Sequence, residues 1–276
     1  GDIYRIFVDT FSILVLLGVF YFLARRFIIH EDRLTIKDPV LLSDRAKAGM
    51  KFDSFIVGAF IIVHIGSRFL SASFEIAIHG TDWSQPAANI VATLWSTLSP
   101  NTLTIAEHVT WWLALGLILL FLPYFPYSKH AHLFMGPLNI MASEKRRSMA
   151  AIETIDFEDE ELDQFGAAQI QHLPQTQLLD GYACIQCSRC QDACPAYETG
   201  KELSPSALEI NKRYFINDNI STIANGESID KALTDWMLTE EAAWSCTTCG
   251  YCVEVCPVGN EPMIDILRAR QNLVMM

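Results

Sequence analysis

Every cysteine in the chain falls in one of two short runs, YACIQCSRCQDACPAYETG at 182–200 and SCTTCGYCVEVCP at 245–257. Cys184, Cys187, Cys190 and Cys194 in the first run, and Cys246, Cys249, Cys252 and Cys256 in the second, repeat one spacing, C-x2-C-x2-C-x3-C-P. Three thiolates at that interval wrap a loop around one face of an iron–sulfur cubane. The fourth lies too far along to close the same cage, and in two-cluster ferredoxins it ligates the other cluster. The spacing therefore predicts one [4Fe–4S] cluster on Cys184, Cys187, Cys190 and Cys256, and a second on Cys246, Cys249, Cys252 and Cys194. Pro195 and Pro257 end each loop and remove a competing backbone donor. Zinc normally takes two C-x2-C pairs separated by a longer loop, which this pattern lacks. Disulfides suit neither the close triplets nor a chain without the marks of a small secreted scaffold. Thiolates left free to bind iron imply a reducing compartment. The residues offer no acid–base pair, nucleophile or phosphate loop, so any redox chemistry belongs to cofactors.

The rest of the chain must position these loops. At 276 residues two domains are expected, and composition divides them. Residues 1–140 are rich in Phe, Leu, Ile and Trp, whereas 141–276 hold the cysteines and most of the acid. The formal net charge of −12 is densest in ETIDFEDEELD at 153–163. Such a run reads as a solvated linker, with a docking surface for a basic partner as the sharper reading. Nothing resembles the basic footprint of a nucleic-acid binder.

Three stretches are long enough to span a bilayer, which takes about 20 apolar residues. They are IYRIFVDTFSILVLLGVFYFLARRFII (3–29), FIVGAFIIVHIGSRFLSASFEIAI (55–78) and VTWWLALGLILLFLPYFPY (109–127). The first lacks the basic start and small-residue cleavage site of a signal peptide. The connection after it carries Arg25, Arg26, Arg33, Lys37, Arg45, Lys47 and Lys51, and Lys129, Lys145, Arg146 and Arg147 follow the third span. Between Gly80 and Glu107 there is no Lys or Arg. The positive-inside rule then puts the first connection and the cysteine domain in the cytoplasm, and Gly1 outside. Trp83, Trp95, Trp111 and Trp112 suit the outer interface. A chain opening on Gly-Asp rather than Met predicts further helices upstream.

His64 and Arg68 sit four residues apart on one face of the second span, where ionisable groups are costly and point to function. Two readings stand. His64 is an axial haem ligand with Arg68 pairing a propionate or an acidic neighbour; or His64 is a neutral histidine bonded to a neighbouring helix while Arg68 snorkels. His108 opens the third span about ten residues, roughly 15 Å, from the depth of His64. It is a candidate for a second, outer haem or a quinone pocket. His130 and His132 close that span and are candidates for the same cofactors on the inner side. His30, His79 and His172 read as solvent or interface residues.

About sixty residues separate the cysteine runs. Ser204-Pro205 reads as the cap and first residue of a helix toward Tyr214. SIDKALTDWM (228–237) is a second helical pattern, and Thr239 caps EEAAW.

HLPQTQLLDGYACIQCSRCQDACPAYETGKELSP, WSCTTCGYCVEVCPVG and RARQNLVMM together resemble the heterodisulfide-reductase-related membrane iron–sulfur oxidoreductases, which include electron-transfer-flavoprotein:menaquinone oxidoreductases. WWLALGLILLFLPYFPYSKHAHLFMGPLN resembles the end of their membrane domain, which is similar to the haem b subunit of respiratory nitrate reductase. The resemblance covers nearly the whole chain. It implies a mainly α fold: a transmembrane helix bundle for haem b and quinone at 1–140, an acidic linker at 141–176 and a helical two-cluster ferredoxin domain at 177–276. Members carry a histidine two residues after the paired tryptophans; here that position is Ala114, a departure that bears on one of the haem sites, so one or two haems are expected. Members also continue into cysteine-rich CCG domains, which lie outside these residues.

The expectation is a multi-pass electron-transfer subunit of an oxidoreductase in the cytoplasmic membrane of a prokaryote. Electrons pass between a cytoplasmic partner, two clusters, haem b and a quinone, with menaquinone implied by the resemblance. The partner is electron-transfer flavoprotein, a hydroxyacid dehydrogenase or a CCG-domain catalytic subunit. His108, Trp111 and Trp112 are the outer quinone candidates; Lys129, His130 and His132 are the inner ones, favoured for lying nearer the clusters. A docking, assembly or redox-sensing iron–sulfur subunit without quinone chemistry is the alternative.

Overall fold

In a computed structural model, residues 1–29, 31–143, 157–158 and 164–276 are described; His30 and most of the acidic run lie outside them. The described residues are mainly helical and contain no strand. They form two compact units, one of residues 1–31 and 51–125 and the other of 32–50 and 126–276.

The first unit contains α1 (Asp2–Ala24), extended by a π-helical turn at Arg25–Ile29, most of α2 (Asp44–His79), the short α3 (Pro86–Ala92) and α4 (Pro100–Tyr124). Three helical stretches, Asp2–Ile29, Asp44–His79 and Pro100–Tyr127, are long and apolar enough to cross a bilayer. Their outward faces carry Phe7, Phe11, Leu14, Leu17, Leu119 and Leu120, the surface a lipid environment favours. Ser99 accepts the Thr102 N–H and Pro100 occupies the first turn, which starts α4. Asp9 is an acid within α1, and it has a structural partner. Its carboxylate accepts the N–H groups of Ala87 at 2.7 Å and Ala88 at 3.1 Å, at the positive end of α3. Trp95 donates its indole N–H to the Ser73 hydroxyl at 3.0 Å and packs against the Phe74 ring at 4.9 Å.

The second unit contains α5 (His132–Ala142), α6 (Gln175–Ala183), α7 (Arg189–Asp192), α8 (Pro195–Glu198), α9 (Pro205–Asp218), α10 (Ile220–Ala224), α11 (Leu233–Trp236), α12 (Glu240–Ser245), α13 (Tyr251–Glu254) and α14 (Pro262–Met275). Leu203, Leu208, Ile216, Met237 and Ile266 form its core, with Phe215 stacked on Trp236 at 3.8 Å. Each fully buried Leu or Ile contributes about 1.5–3 kcal/mol by leaving water. At Gly181 a Cβ would sit 3.2 Å from the Arg213 nitrogen, so glycine lets α6 lie against α9.

Two local caps follow the sequence: Ser204 accepts from Ala207 at 3.1 Å and Thr239 from Ala242 at 3.0 Å. The helical pattern at 228–237 holds only over Leu233–Trp236. Leu233 N–H goes instead to the Ala168 carbonyl at 2.7 Å, which draws the preceding residues out of helix. Residues 32–50 and 126–143, which adjoin the spans in sequence, group with the cysteine loops. Their backbone is held by polar side chains of that unit: Asn211 bonds Ser43 and Leu41, and Tyr197 bonds Lys37 and Thr35. Residues 167–173, in the stretch read as linker, enter the core through Ala167, Ile170 and Leu173. His172 is not a plain solvent residue, since its Nδ1 accepts the N–H groups of Ala168 and Gln169.

Candidate metal centre

The sequence repeat returns as a backbone repeat. In the first loop Gln186 and Ser188 have φ of 56° and 62°; at the equivalent positions of the second, Thr248 and Gly250 have 54° and 71°. Three of these four are not glycine, and left-handed backbone costs an L-residue about 1–2 kcal/mol. The conformation turns each loop so that its three cysteines face one side. The short helices α7 and α13 then begin at Arg189 and Tyr251, directly after the left-handed residues. Sequence reasoning missed this feature, because only Gly250 advertises it.

The loops and the ends of the helices bring the thiols into two groups. Cys184, Cys187, Cys190 and Cys256 line one cavity, which Cys252 also borders. Burial pushes the Cys184 thiol up to about 12, with Glu209, Cys256 and Cys187 acting in the same direction. Burial also raises Cys252 to about 12, and there the neighbours are Cys246, Cys194 and Cys249. Cys194 is raised by burial, with Cys246 and Cys249 adding to it and the N–H groups of Tyr197 and Ala196 opposing. Cysteines from opposite runs, 52 to 72 residues apart in sequence, are thus neighbours. Backbone N–H groups are aimed at sulfur as well: Thr248 to Cys246 at 3.4 Å and Asn260 to Cys256 at 3.3 Å.

This donor set fits an iron–sulfur cluster. Buried thiols with raised pKa disfavour the bare thiolate, and a bound cationic centre reverses that by releasing the protons. Hydrogen bonds to the sulfurs are a means of setting cluster potential. Among the described residues no three His, Cys, Asp or Glu side chains converge on a single metal ion. A four-iron cluster is wider than a single ion and is held by thiolates, the donors that Cys184, Cys187, Cys190 and Cys256 present around one cavity.

Beneath the cavity lies a charge cluster that the sequence did not disclose. Lys212 is fully buried, 2.5 Å from Asp265 and 3.1 Å from Glu209. Burial opposes its charge, but Asp265, Glu209 and Asp180 outweigh that and hold the ammonium above its ordinary range. Burial raises Glu209 well above the usual carboxylate range and raises Asp180 to about 6. Asp180 accepts from Asn139 at 2.7 Å and from the Glu261 N–H at 2.9 Å. The i,i+3 pair Glu209 and Lys212 was a readable signal, but nothing in sequence says that α9 buries that face.

The first unit holds His64, Arg68 and His108. His64 Nδ1 lies 2.9 Å from the Ala114 carbonyl, and its ring stacks on Phe60, which stacks in turn on Phe121 at 4.3 Å. With Nδ1–H donated, Nε2 keeps its lone pair, the arrangement that fixes a ligating histidine. His64 is therefore level with Ala114, six residues or about 9 Å from His108 along α4 rather than the 15 Å expected. Arg68 donates to the Tyr4 hydroxyl at 3.2 Å. His108 Nδ1 lies 2.8 Å from Glu107 and 2.8 Å from the Thr104 carbonyl, and Trp111 and Trp112 pack edge to face beside it on α4. His130 and His132 belong to the second unit, with rings 6.0 Å apart; His132 Nδ1 bonds the Lys129 carbonyl at 2.6 Å.

Comparison with known proteins agrees with these groupings at the level of cofactor class. Residues 180–260 match the model of a 4Fe-4S dicluster domain. The chain is 32% identical, over 99% of its length and 41% of the relative's, to the probable iron-sulfur-binding oxidoreductase FadF of Bacillus subtilis. It is 26% identical, over 97% of its length and 40% of the relative's, to the EtfAB:quinone oxidoreductase of Syntrophomonas wolfei. It is also 26% identical, over 52% of its length and 25% of the relative's, to a probable membrane-anchored ferredoxin of Chromohalobacter salexigens. The chain spans about two fifths of the length of the first two relatives. No solved structure matches it. The chain is thus a relative of iron–sulfur oxidoreductases that joins a 4Fe-4S dicluster domain to three helices of membrane-spanning length.

Proposed function

We propose that this chain is the membrane-anchored electron-transfer part of a quinone-linked iron–sulfur oxidoreductase in a prokaryotic cytoplasmic membrane. The observation that carries the proposal is that cysteines of the two runs meet, Cys256 beside Cys184 around one cavity and Cys194 beside Cys246, Cys249 and Cys252, in a chain with three bilayer-length helices. Cys184, Cys187, Cys190 and Cys256 would hold one [4Fe–4S] cluster, and Cys194, Cys246, Cys249 and Cys252 the other. When bound, the two clusters supply one-electron carriers side by side. The chain's own residues bury the thiols, direct the Thr248 and Asn260 N–H groups at sulfur, and keep a lysine charge beneath the first site.

In the membrane unit His64 is the leading haem b ligand, and its bond to the Ala114 carbonyl supports that role by fixing the ring with Nε2 available. Arg68, His108, His130 and His132 remain candidates for haem or quinone contact, with menaquinone as the expected quinone. The partner on the cytoplasmic side would be an electron-transfer flavoprotein or a CCG-domain catalytic subunit. The name of the Syntrophomonas wolfei relative, EtfAB:quinone oxidoreductase, supports both the flavoprotein and the quinone. A second reading draws on the same His64 bond: a histidine satisfied by a neighbouring helix belongs to an anchor without haem, and the chain then docks or assembles an iron–sulfur partner.

Iron and sulfide analysis with reduced-minus-oxidised spectra of the purified protein separates the readings. About eight irons with b-type bands that respond to quinol support electron transfer to quinone. Eight irons without those bands support the anchor, and an iron-free protein that keeps its fold overturns both.

A further inference from the structure

Helix α5 has its polarity reversed for a protein facing water. From Leu133 to Met141 its only polar side chain, Asn139, is 3% exposed. The outward positions are all apolar: Phe134 is 65% exposed and Met141 81%, with Leu133, Leu138 and Ile140 beside them. At about 100° per residue these five positions fall on one arc of the helix, opposite Gly136 and Asn139. A contiguous apolar stripe of this kind marks an interaction surface.

The inward arc is built onto the cysteine cavity. Asn139 donates to Asp180, in the helix leading to Cys184, and to the Val258 carbonyl in the loop after Cys256. At Gly136 a Cβ would stand 3.2 Å from the Val258 side chain, and Val258 lines the cavity. One face of α5 thus belongs to the wall of the Cys184–Cys256 site, and the other leaves Leu133, Phe134, Leu138, Ile140 and Met141 largely exposed among the described residues.

Chain continuity says what covers it. The third bilayer-length stretch ends at Tyr127 and α5 starts at His132, so four residues separate them, and the five steps reach at most about 17 Å. The sequence also carries Lys129 before the helix and Lys145, Arg146 and Arg147 after it, charges that suit anionic headgroups. We propose that α5 lies in the phospholipid interface with Leu133, Phe134, Leu138, Ile140 and Met141 among the upper acyl chains. The wall of the Cys184–Cys256 site is then one helix, about 10 Å, from the bilayer. The lipid seating stands independently of the proposed function, whereas its bearing on a cluster rests on that reading.

The test uses the full protein reconstituted into phospholipid nanodiscs containing a phosphatidylcholine with a diazirine near the top of one acyl chain. After illumination, labelled residues are mapped by mass spectrometry, with the three spans as internal positive controls and Trp244 and Tyr251, exposed in the second unit, as negative ones. Labelling of α5 on the Leu133–Phe134–Met141 face at a level comparable to the spans is expected. An unlabelled α5 beside labelled spans overturns the proposal, as does cross-linking of that face to a second copy of the chain. A second arm adds lipid-headgroup-chelated dysprosium and follows the EPR relaxation of the reduced protein, with signals assigned using Cys249→Ser. At least a twofold faster relaxation of the cluster retained in that variant is expected; no change overturns the one-helix separation. If no cluster signal exists, the two-cluster reading fails while the labelling still decides the seating.

Discussion

Lys212 and Asp265 form an ion pair at 2.5 Å in which neither side chain reaches solvent. They lie on different helices, α9 and α14, and Glu209 completes the site from one turn away. A buried pair is costly to assemble, but removing one partner is worse because the other charge stays behind without compensation. Lys212→Met should therefore lower the unfolding free energy by about 3–5 kcal/mol in denaturant titrations. The double variant Lys212→Met with Asp265→Leu should recover part of that loss, and failure to recover any would show that packing rather than charge governs the site.

The paired left-handed positions give a built-in comparison. Ser188 and Gly250 occupy equivalent places, at φ 62° and 71°. Gly250→Ser should cost about 1–2 kcal/mol, while Ser188→Gly should be neutral or stabilising by up to about 1 kcal/mol. Denaturant midpoints of both variants check the sign. Equal destabilisation by the two substitutions would mean that Ser188 is kept for its hydroxyl and not merely tolerated.

Cys194 distinguishes crossed ligation from two self-contained loops. Cys194→Ala should remove or convert the EPR signal of the cluster on Cys246, Cys249 and Cys252 and leave the other within about 20% of its wild-type intensity, by the two-cluster logic. Loss confined to the signal of the Cys184–Cys190 loop would refute the assignment.

His64→Ala should abolish or shift a haem b absorbance while iron and sulfide content stay unchanged. An unaltered visible spectrum returns His64 to packing between α2 and α4, the role that its Ala114 bond and its stack on Phe60 already serve.

Asp180 links stability to pH. Burial raises its carboxyl to about 6, above the ordinary value of 3.8. Its favourable contribution is complete below about pH 4 and is lost as pH rises through 6, because the folded state must then hold the buried charge. Unfolding free energies measured from pH 4.5 to 7 should show a downward slope in the wild type that Asp180→Asn reduces. Parallel slopes in the two proteins would rule out Asp180 as its source.

Local chemistry was legible in the sequence, and relations across the chain were not. Ser204 and Thr239 announced their helices because a cap acts within three residues. The three bilayer-length helices were readable from unbroken apolar runs. The same continuity hid the character of 126–143, since an apolar stretch after a span gives no sign that Gly136 and Asn139 turn inward onto Val258 and Asp180. Lys212 and Glu209 stand three residues apart, but the acid that makes them a buried triad sits 53 residues from Lys212, beyond the reach of any local pattern. Gln186, Ser188 and Thr248 carry left-handed backbone without glycine, so no residue type marked them. The cysteine spacing assigned Cys256 to the first loop's set, and in the folded chain Cys256 lies beside Cys184.

That meeting also has a meaning in time. Cys184 and Cys256 share a cavity wall, yet about 70 residues separate them, which a ribosome adding about 5–20 residues per second takes about 4–14 s to synthesise. The nascent chain therefore presents three apolar helices and one incomplete cysteine loop well before the wall can close. Maturation of this site has to follow translation of its C-terminal loop, and a chain truncated before Cys256 would leave Cys184, Cys187 and Cys190 without the cysteine that faces them across the cavity.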